Sequence, residues 1–126
     1  FLENFSTRQL FANSQSVDET WLTTLEKGAE NLNTRYAVYS FLAGFWRQDY
    51  RAKMSKIKQP TFIVMGDQTS SVGKNKQAET PQARLNFYLD QFQNSEGIII
   101  SGRNVLPYES PLEFASVSIN FLNKIL

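Results

Sequence analysis

The sequence predicts an α/β protein in which two parallel strands are flanked by helices. Two short, continuous apolar runs, at residues 61–66 and 97–101, are typical of strands that are covered on both faces. A helical pattern connects them and another follows the second run, and a helical crossover between neighbouring strands makes those strands parallel. The first half of the chain has helical patterns only.

The first half contains two predicted helices and a basic segment. Ser16 is predicted to cap the first helix, since Glu19 follows at capping-box spacing. The second helix is predicted over residues 34–46, where apolar and aromatic side chains leave little polar face. We expect a helix of that kind to be buried or to cover a cavity. A polar and basic segment then extends to Pro60.

The second half alternates strands and helices. The first strand ends at Gly66 and leads into a long polar loop. The next helix is predicted to begin with Thr80 as N-cap and proline at the first helical position. After the second strand, the last helix is predicted to begin with Ser110 as N-cap and Glu113 completing a capping box.

Composition excludes several functional classes. The 126 residues carry a net charge of only +1, so no nucleic-acid partner is expected. No apolar run approaches the ~20 residues that span a bilayer, and no membrane partner is expected. The absence of histidine and cysteine excludes the usual zinc sites, and the carboxylates are scattered, so we expect no metal and no cofactor. A cytoplasmic location is expected, because a chain without cysteine fits a reducing compartment.

Two motifs resemble the α/β-hydrolase family. The stretch "IKQPTFIVMGD" resembles the family's proline-led strand before the catalytic-acid loop, and "SGRNVLPYESPLEFASVSINFL" resembles its Gly-His turn and closing helix. The resemblance implies that residues 58–126 form the last two strand–helix units of such a core. Residues 1–57 then occupy the position of the family's helical lid. The activity implied for the parent class is hydrolysis of esters or related bonds by a serine or aspartate nucleophile.

The chain departs from that family at every catalytic position. It has no G-x-S-x-G nucleophile elbow. The position of the catalytic histidine holds Arg103, which stays protonated and cannot act as a general base. The usual position of the acid holds Thr69, and Asp67 lies nearby at a different offset. We therefore expect the chain alone to be inactive, whether it is a truncation or part of a longer protein.

The candidate site residues each allow two interpretations. Arg103 either contacts an anionic ligand or forms an ion pair with Glu109 or Asp67, and we favour the ion pair. Asp67 is either a displaced catalytic acid or an acceptor for backbone N–H groups of its own turn, and we favour the turn. Ser70 and Ser71 have no base beside them and are not expected to be nucleophiles. The aromatic side chains of the second helix, Tyr39 and Trp46 among them, either line an apolar ligand pocket or form ordinary core.

Two functions remain open at this stage. One is a hydrolase-like part without its own turnover, and the other is a non-catalytic binding or assembly protein that keeps the pocket and uses Arg103 for an anionic ligand. A small apolar or anionic ligand is a possible partner for either. Two short apolar strands leave exposed edges, so a homodimer or higher oligomer is expected.

Overall fold

The structure, a computed structural model, describes residues 1–45, 47–70 and 80–126. It is a mixed α/β arrangement with a two-stranded parallel sheet. Strand β1 spans Thr61–Gly66, as predicted, and strand β2 spans Ser95–Ile100. The second strand thus begins two residues earlier and ends one residue earlier than the prediction of 97–101. The register pairs Thr61 with Ser95 at one end and Gly66 with Ile100 at the other.

Helices of very different lengths make up most of the remaining described chain. They are α1 (Leu2–Phe5), which continues as a π-helical turn over Ser6–Leu10, then α2 (Glu19–Glu30), α3 (Arg35–Ala43), α4 (Arg51–Met54), α5 (Pro81–Gln91), α6 (Leu106–Glu109) and α7 (Pro111–Ile125). The short helix α6 was not predicted, because the sequence there indicates only a turn before the capped helix that follows.

A helix packs on each face of the sheet, but the prediction that β2 is a buried strand is wrong for its middle, where Glu96, Gly97 and Ile98 are exposed. On one face, Gly97 lies so close to helix α5 that an added Cβ would be 2.6 Å from Leu85 Cδ1. On the other face, the Phe62 ring stacks on Phe121 of α7, with ring centroids 4.7 Å apart. The buried apolar residues Met65, Leu85, Ile100, Leu106 and Phe121 mark this core. The strand–helix–strand–helix order therefore produces the three-layer packing expected of parallel strands.

The helix starts agree with the sequence prediction only in part. Thr80 caps α5 as predicted, accepting a hydrogen bond from Ala83 N at 3.1 Å. The prediction for α2 is wrong, because its N-cap is Asp18 and Ser16 lies in a preceding 3₁₀ turn. Asp18 has the extended backbone of an N-cap, and its carboxylate accepts from Trp21 N at 2.8 Å.

The predicted capping box of α7 is replaced by contacts to strand β2. Ser110 does precede α7, but its side chain makes no cap hydrogen bond and donates to the carbonyl oxygen of Ser101 at 2.7 Å. Glu113 accepts from Ser101 N at 3.3 Å. The two side chains therefore satisfy the backbone just beyond β2 instead of the first turn of their own helix.

Helix α3 differs most from its prediction. Its apolar residues were expected to be buried or to cover a cavity, yet none is buried, and Leu42 is 73% exposed. The helix packs mainly on the 3₁₀ turn before it and ends at Gly44, which has a positive φ of 73°. Among the described residues, no layer covers its apolar surface.

We predict that Gly66 tolerates no side chain. A Cβ at this position would lie 2.3 Å from Gly102 O and 2.5 Å from Arg103 O, so Gly66→Ala forces backbone apart. We expect a loss of about 3 kcal/mol in unfolding free energy, at the upper end of overpacking costs. Urea unfolding measures it. The control is Gly28→Ala in α2, where nothing lies within 4 Å and a gain of about 0.5–1 kcal/mol is expected. Equal effects of both substitutions would contradict the prediction.

Candidate functional site

The candidate site lies where the two parallel strands end, the position at which ligands usually bind in open α/β sheets. The loops after β1 and β2 are joined there by direct hydrogen bonds. Gln68 N donates to Gly102 O at 3.0 Å, and Gly102 N donates to the carboxylate of Asp67 at 3.0 Å. Gly102 is buried with a φ of 125°, a conformation that side-chain-bearing residues rarely adopt.

Asp67 therefore accepts a backbone hydrogen bond, as the favoured interpretation expected, but from a different partner. The donor, Gly102 N, belongs to the opposite loop and not to the turn of Asp67 itself. This contact couples the ends of β1 and β2. No described base or nucleophile is hydrogen-bonded to the Asp67 carboxylate, so the geometry gives it no catalytic partner.

Glu109, at the end of α6, accepts three backbone hydrogen bonds with its carboxylate. One carboxylate oxygen accepts from Ala12 N at 2.6 Å and from Asn13 N at 2.9 Å, across 97 and 96 residues of chain. The other oxygen accepts from Arg103 N at 2.9 Å. Hydrogen bonds from backbone N–H groups to an ionised carboxylate are short and strong. Glu109 thereby fixes the N-terminal segment against the loop that follows β2.

Arg103 takes neither of the partners that the sequence suggested. Its Nη1 donates to the carbonyl oxygen of Arg8 at 2.9 Å, and Glu109 binds the backbone of Arg103 instead of its guanidinium. The ion pair with Glu109 or Asp67 is thus replaced by a bond to the N-terminal segment. Within the described residues, the buried Arg103 Nε has no hydrogen-bond partner, and neither has Oε1 of the neighbouring Gln9.

Thr69 is linked to the N-terminal segment through Asn104. Thr69 Oγ1 donates to Asn104 Oδ1 at 2.9 Å. The amide of Asn104 then donates to Gln9 O at 2.7 Å and to Ser70 O at 3.3 Å. The sequence did not indicate the role of Asn104 or the contacts of Glu109 with the N-terminal segment. Their partners there lie about a hundred residues away, and no local motif signals such contacts.

A small polar cleft opens between these elements. Its volume is about 260 Å³, and it is lined by Ala12, Asn13, Ser16, Gln68, Ser101, Gly102, Glu109 and Ser110. Such a volume is below the roughly 300–1,000 Å³ of typical ligand sites. Ser110 donates to Ser101 O, and no general base accompanies the hydroxyl. The described part of the cleft has no means to activate a nucleophile.

The predicted aromatic ligand residues do not join this cleft. Tyr39 lies on α3 and is 63% exposed, and Trp46 is outside the described residues, as is Ser71. An aromatic cluster does form elsewhere: the Trp21 ring lies 5.0 Å from Phe11 and 5.1 Å from Tyr108, in edge-on geometry. Phe11 is fully buried, so this cluster docks α2 and the N-terminal segment on α6.

A charged hydrogen bond lies at the rim of the aromatic cluster. Tyr108 Oη donates to Asp18 Oδ1 at 2.7 Å. The bond from Trp21 N, followed by that from Tyr108, lowers the pKa of Asp18 below 3.8, and the same carboxylate raises the pKa of Tyr108 above 10.0. Both groups stabilise the native state when Asp18 is ionised and Tyr108 is protonated.

The described residues include no group of three or more His, Cys, Asp or Glu that could hold a metal ion. Among the same residues, no helix is both long and apolar enough to cross a membrane. Comparison with known proteins finds no relative: no family model, no curated protein and no solved structure matches the chain. The functional assignment therefore depends on the chemistry of this site.

We predict that Glu109→Gln lowers the free energy of unfolding by at least about 2 kcal/mol. Each hydrogen bond to a charged acceptor contributes roughly 1.5–3 kcal/mol, and the substitution removes the charge. It also places the NH₂ group of the new amide, which cannot accept a hydrogen bond, against at least one of the backbone N–H groups. Urea unfolding at neutral pH measures the loss. Glu113→Gln is the matched control, because the hydrogen bond found for the Glu113 side chain is a longer one, 3.3 Å from Ser101 N. We expect this control to lower the free energy of unfolding by less than about 1 kcal/mol. A smaller loss for Glu109→Gln than for the control would contradict the role of Glu109.

We also predict that acid weakens the docking of α2. Because the folded-state pKa of Asp18 is lowered, its contribution is complete above its unfolded value of 3.8 and is lost as pH falls through the folded value. Asp18→Asn should therefore flatten the stability profile in this range. Melting curves between pH 2 and pH 7 test this, and identical pH profiles for Asp18→Asn and the parent chain would be the contrary result.

Proposed function

We propose that the chain is a non-catalytic unit of an α/β-hydrolase-like protein and that its role is structural assembly. One observation carries the proposal: the side chains at the positions of the family's histidine and acid both hold the N-terminal segment. Arg103 donates to Arg8 O, and Thr69 reaches Gln9 O through Asn104. The Arg103 guanidinium binds a backbone carbonyl and the Thr69 hydroxyl binds a side-chain amide, and groups engaged in this way do not perform acid–base chemistry on a substrate.

The chemistry of the cleft supports the same proposal. The Glu109 carboxylate already accepts three backbone N–H groups, so little acceptor capacity is left for a proton or a ligand. The hydroxyl of the next residue, Ser110, donates to a backbone carbonyl. Hydrolysis of an ester requires a nucleophile with a base within hydrogen-bond reach, and the described residues supply no such pair.

We predict that the purified chain does not hydrolyse short-chain nitrophenyl esters faster than Ser70→Ala measured alongside it. Arg103→His should remain equally inactive, because the missing nucleophile is not restored. The readout is nitrophenolate release under saturating ester. Activity that copurifies with the chain and disappears in Ser70→Ala would overturn the non-catalytic assignment.

A second candidate function is the binding of a small anionic ligand beside Arg103. The observation in its favour is the buried Nε donor, which meets no partner in the described part of the chain and lies next to the guanidinium edge that binds Arg8 O. Its planar, forked donors suit carboxylate or phosphate. Phosphate and benzoate should then raise the melting temperature in a saturable way that Arg103→Gln abolishes. An unchanged melting temperature with both anions would remove this candidate.

A further inference from the structure

Helix α3 presents large apolar side chains to solvent. Val38, Tyr39 and Leu42 lie on one face of the helix, because four residues separate Val38 from Leu42 and Tyr39 lies three residues before Leu42. These three side chains are between 52 and 73% exposed, and so is Phe45 just beyond the helix. Every residue from 31 to 43 is exposed. A contiguous apolar surface of this kind marks an interaction site.

Positive charge is concentrated in α3 and in the segment that follows it. Residues 35–58 contain six lysine or arginine residues and one acidic residue, whereas the other 102 residues contain seven basic and eleven acidic ones. The single acidic residue, Asp49, is paired with Arg51. The net charge of +1 for the whole chain conceals this difference. The chain therefore consists of a basic, apolar segment and an acidic remainder.

The apolar and the basic parts of this segment meet in a tight turn at Gly44. Arg47 N donates to Gly44 O at 2.9 Å. The Arg47 side chain folds back on the end of α3, since its Cδ would lie 3.3 Å from a Cβ at Gly44. Lys53, Lys56 and Lys58 follow, and all three are exposed. The basic side chains thus begin directly where the apolar helix ends.

We propose that residues 35–58, the apolar helix and its basic extension, bind the surface of an anionic lipid bilayer. An interfacial helix buries apolar side chains at the boundary of headgroups and acyl chains, and neighbouring basic residues attract anionic headgroups. The rings of Tyr36, Tyr39 and Tyr50 suit the same boundary, because each has an apolar body and a polar hydroxyl. Lying in this layer requires no run of bilayer-spanning length, which the sequence lacks. The inference goes beyond the proposed assembly role and does not depend on it.

Other occupants fit this surface less well. A second copy of the chain would bring its own basic segment against the first, and like charges at a contact oppose association. An acidic groove on another protein would complement the charge, but grooves of that kind hold a helix by anchors at positions i, i+3, i+4 and i+7. Counted from Val38, the last of these positions is Phe45, and α3 ends at Ala43. A bilayer surface imposes no such spacing.

Co-sedimentation with lipid vesicles tests the proposal on the unaltered chain. Vesicles of phosphatidylcholine with about 30 mol% phosphatidylserine should bind the chain at least about tenfold more tightly than pure phosphatidylcholine, since each basic residue near an anionic surface contributes roughly fivefold in affinity. Raising the salt from about 0.1 M to about 1 M should release most of the bound chain, because the Debye length falls from ~10 Å to ~3 Å. Equal binding to both kinds of vesicle would overturn the proposal. So would no binding to the anionic vesicles, which would favour an acidic protein as the occupant.

Two matched pairs of exposed residues locate the binding surface. Leu42→Gln should weaken binding to the anionic vesicles about tenfold, because a leucine side chain loses its burial in the bilayer, whereas Leu112→Gln on α7 should leave binding unchanged. Lys56→Gln should weaken it about fivefold, and Lys124→Gln, also on α7, should change it less than about twofold. All four side chains are exposed, so the variants should melt like the parent chain. Equal losses of binding for Leu42→Gln and Leu112→Gln would overturn the proposed surface.

Discussion

The Glu109 carboxylate joins the two parts of the chain that meet at the candidate site. It accepts backbone hydrogen bonds from Ala12, Asn13 and Arg103, and so joins the N-terminal segment to the loop after β2. An unsatisfied backbone N–H in a partly buried position costs about 1–3 kcal/mol. Without this carboxylate the partly buried N–H groups of Ala12 and Arg103 would lose their partner at once, together with the exposed N–H group of Asn13.

Several other contacts are possible only because that segment is held in place. Phe11, directly before Ala12, is fully buried and meets the Trp21 and Tyr108 rings. Leu10 O accepts from Asn104 N at 2.9 Å. The close approach of the two strand-end loops adds a steric condition, since Gly66 and Gly102 leave no space for a side chain. The strand ends, which in many α/β proteins present free side chains to a ligand, are here filled by the protein itself.

Local sequence signals predicted the elements that depend on local physics. The apolar run of β1 and the Thr80 cap of α5 need only neighbouring residues, and both were predicted correctly. Ser16 and Ser110 have the right spacing for capping boxes, but an aspartate with extended backbone competes successfully for α2, and the end of β2 recruits both side chains at α7. A pattern within one helix contains no information about such competition.

The contacts of the site could not be read from the sequence. Arg103 was expected to find a carboxylate, yet a backbone carbonyl 95 residues away is its partner, and only the tertiary fold brings the two together. The exposure of α3 has the same origin, because an apolar helix is buried only if another element reaches it. The hydrogen bonds of the Arg103 and Asn104 side chains hold the N-terminal segment against the strand ends.

Residue-resolved amide hydrogen exchange tests the central claim most directly. If Glu109 makes the N-terminal segment part of the cooperative core, the amides of Ala12 and Asn13 should exchange with the same free energy of opening as that of Ile63, which points into the sheet. Exchange of Ala12 and Asn13 that is many times faster, while Ile63 stays protected, would show that the segment detaches without unfolding and would contradict the account.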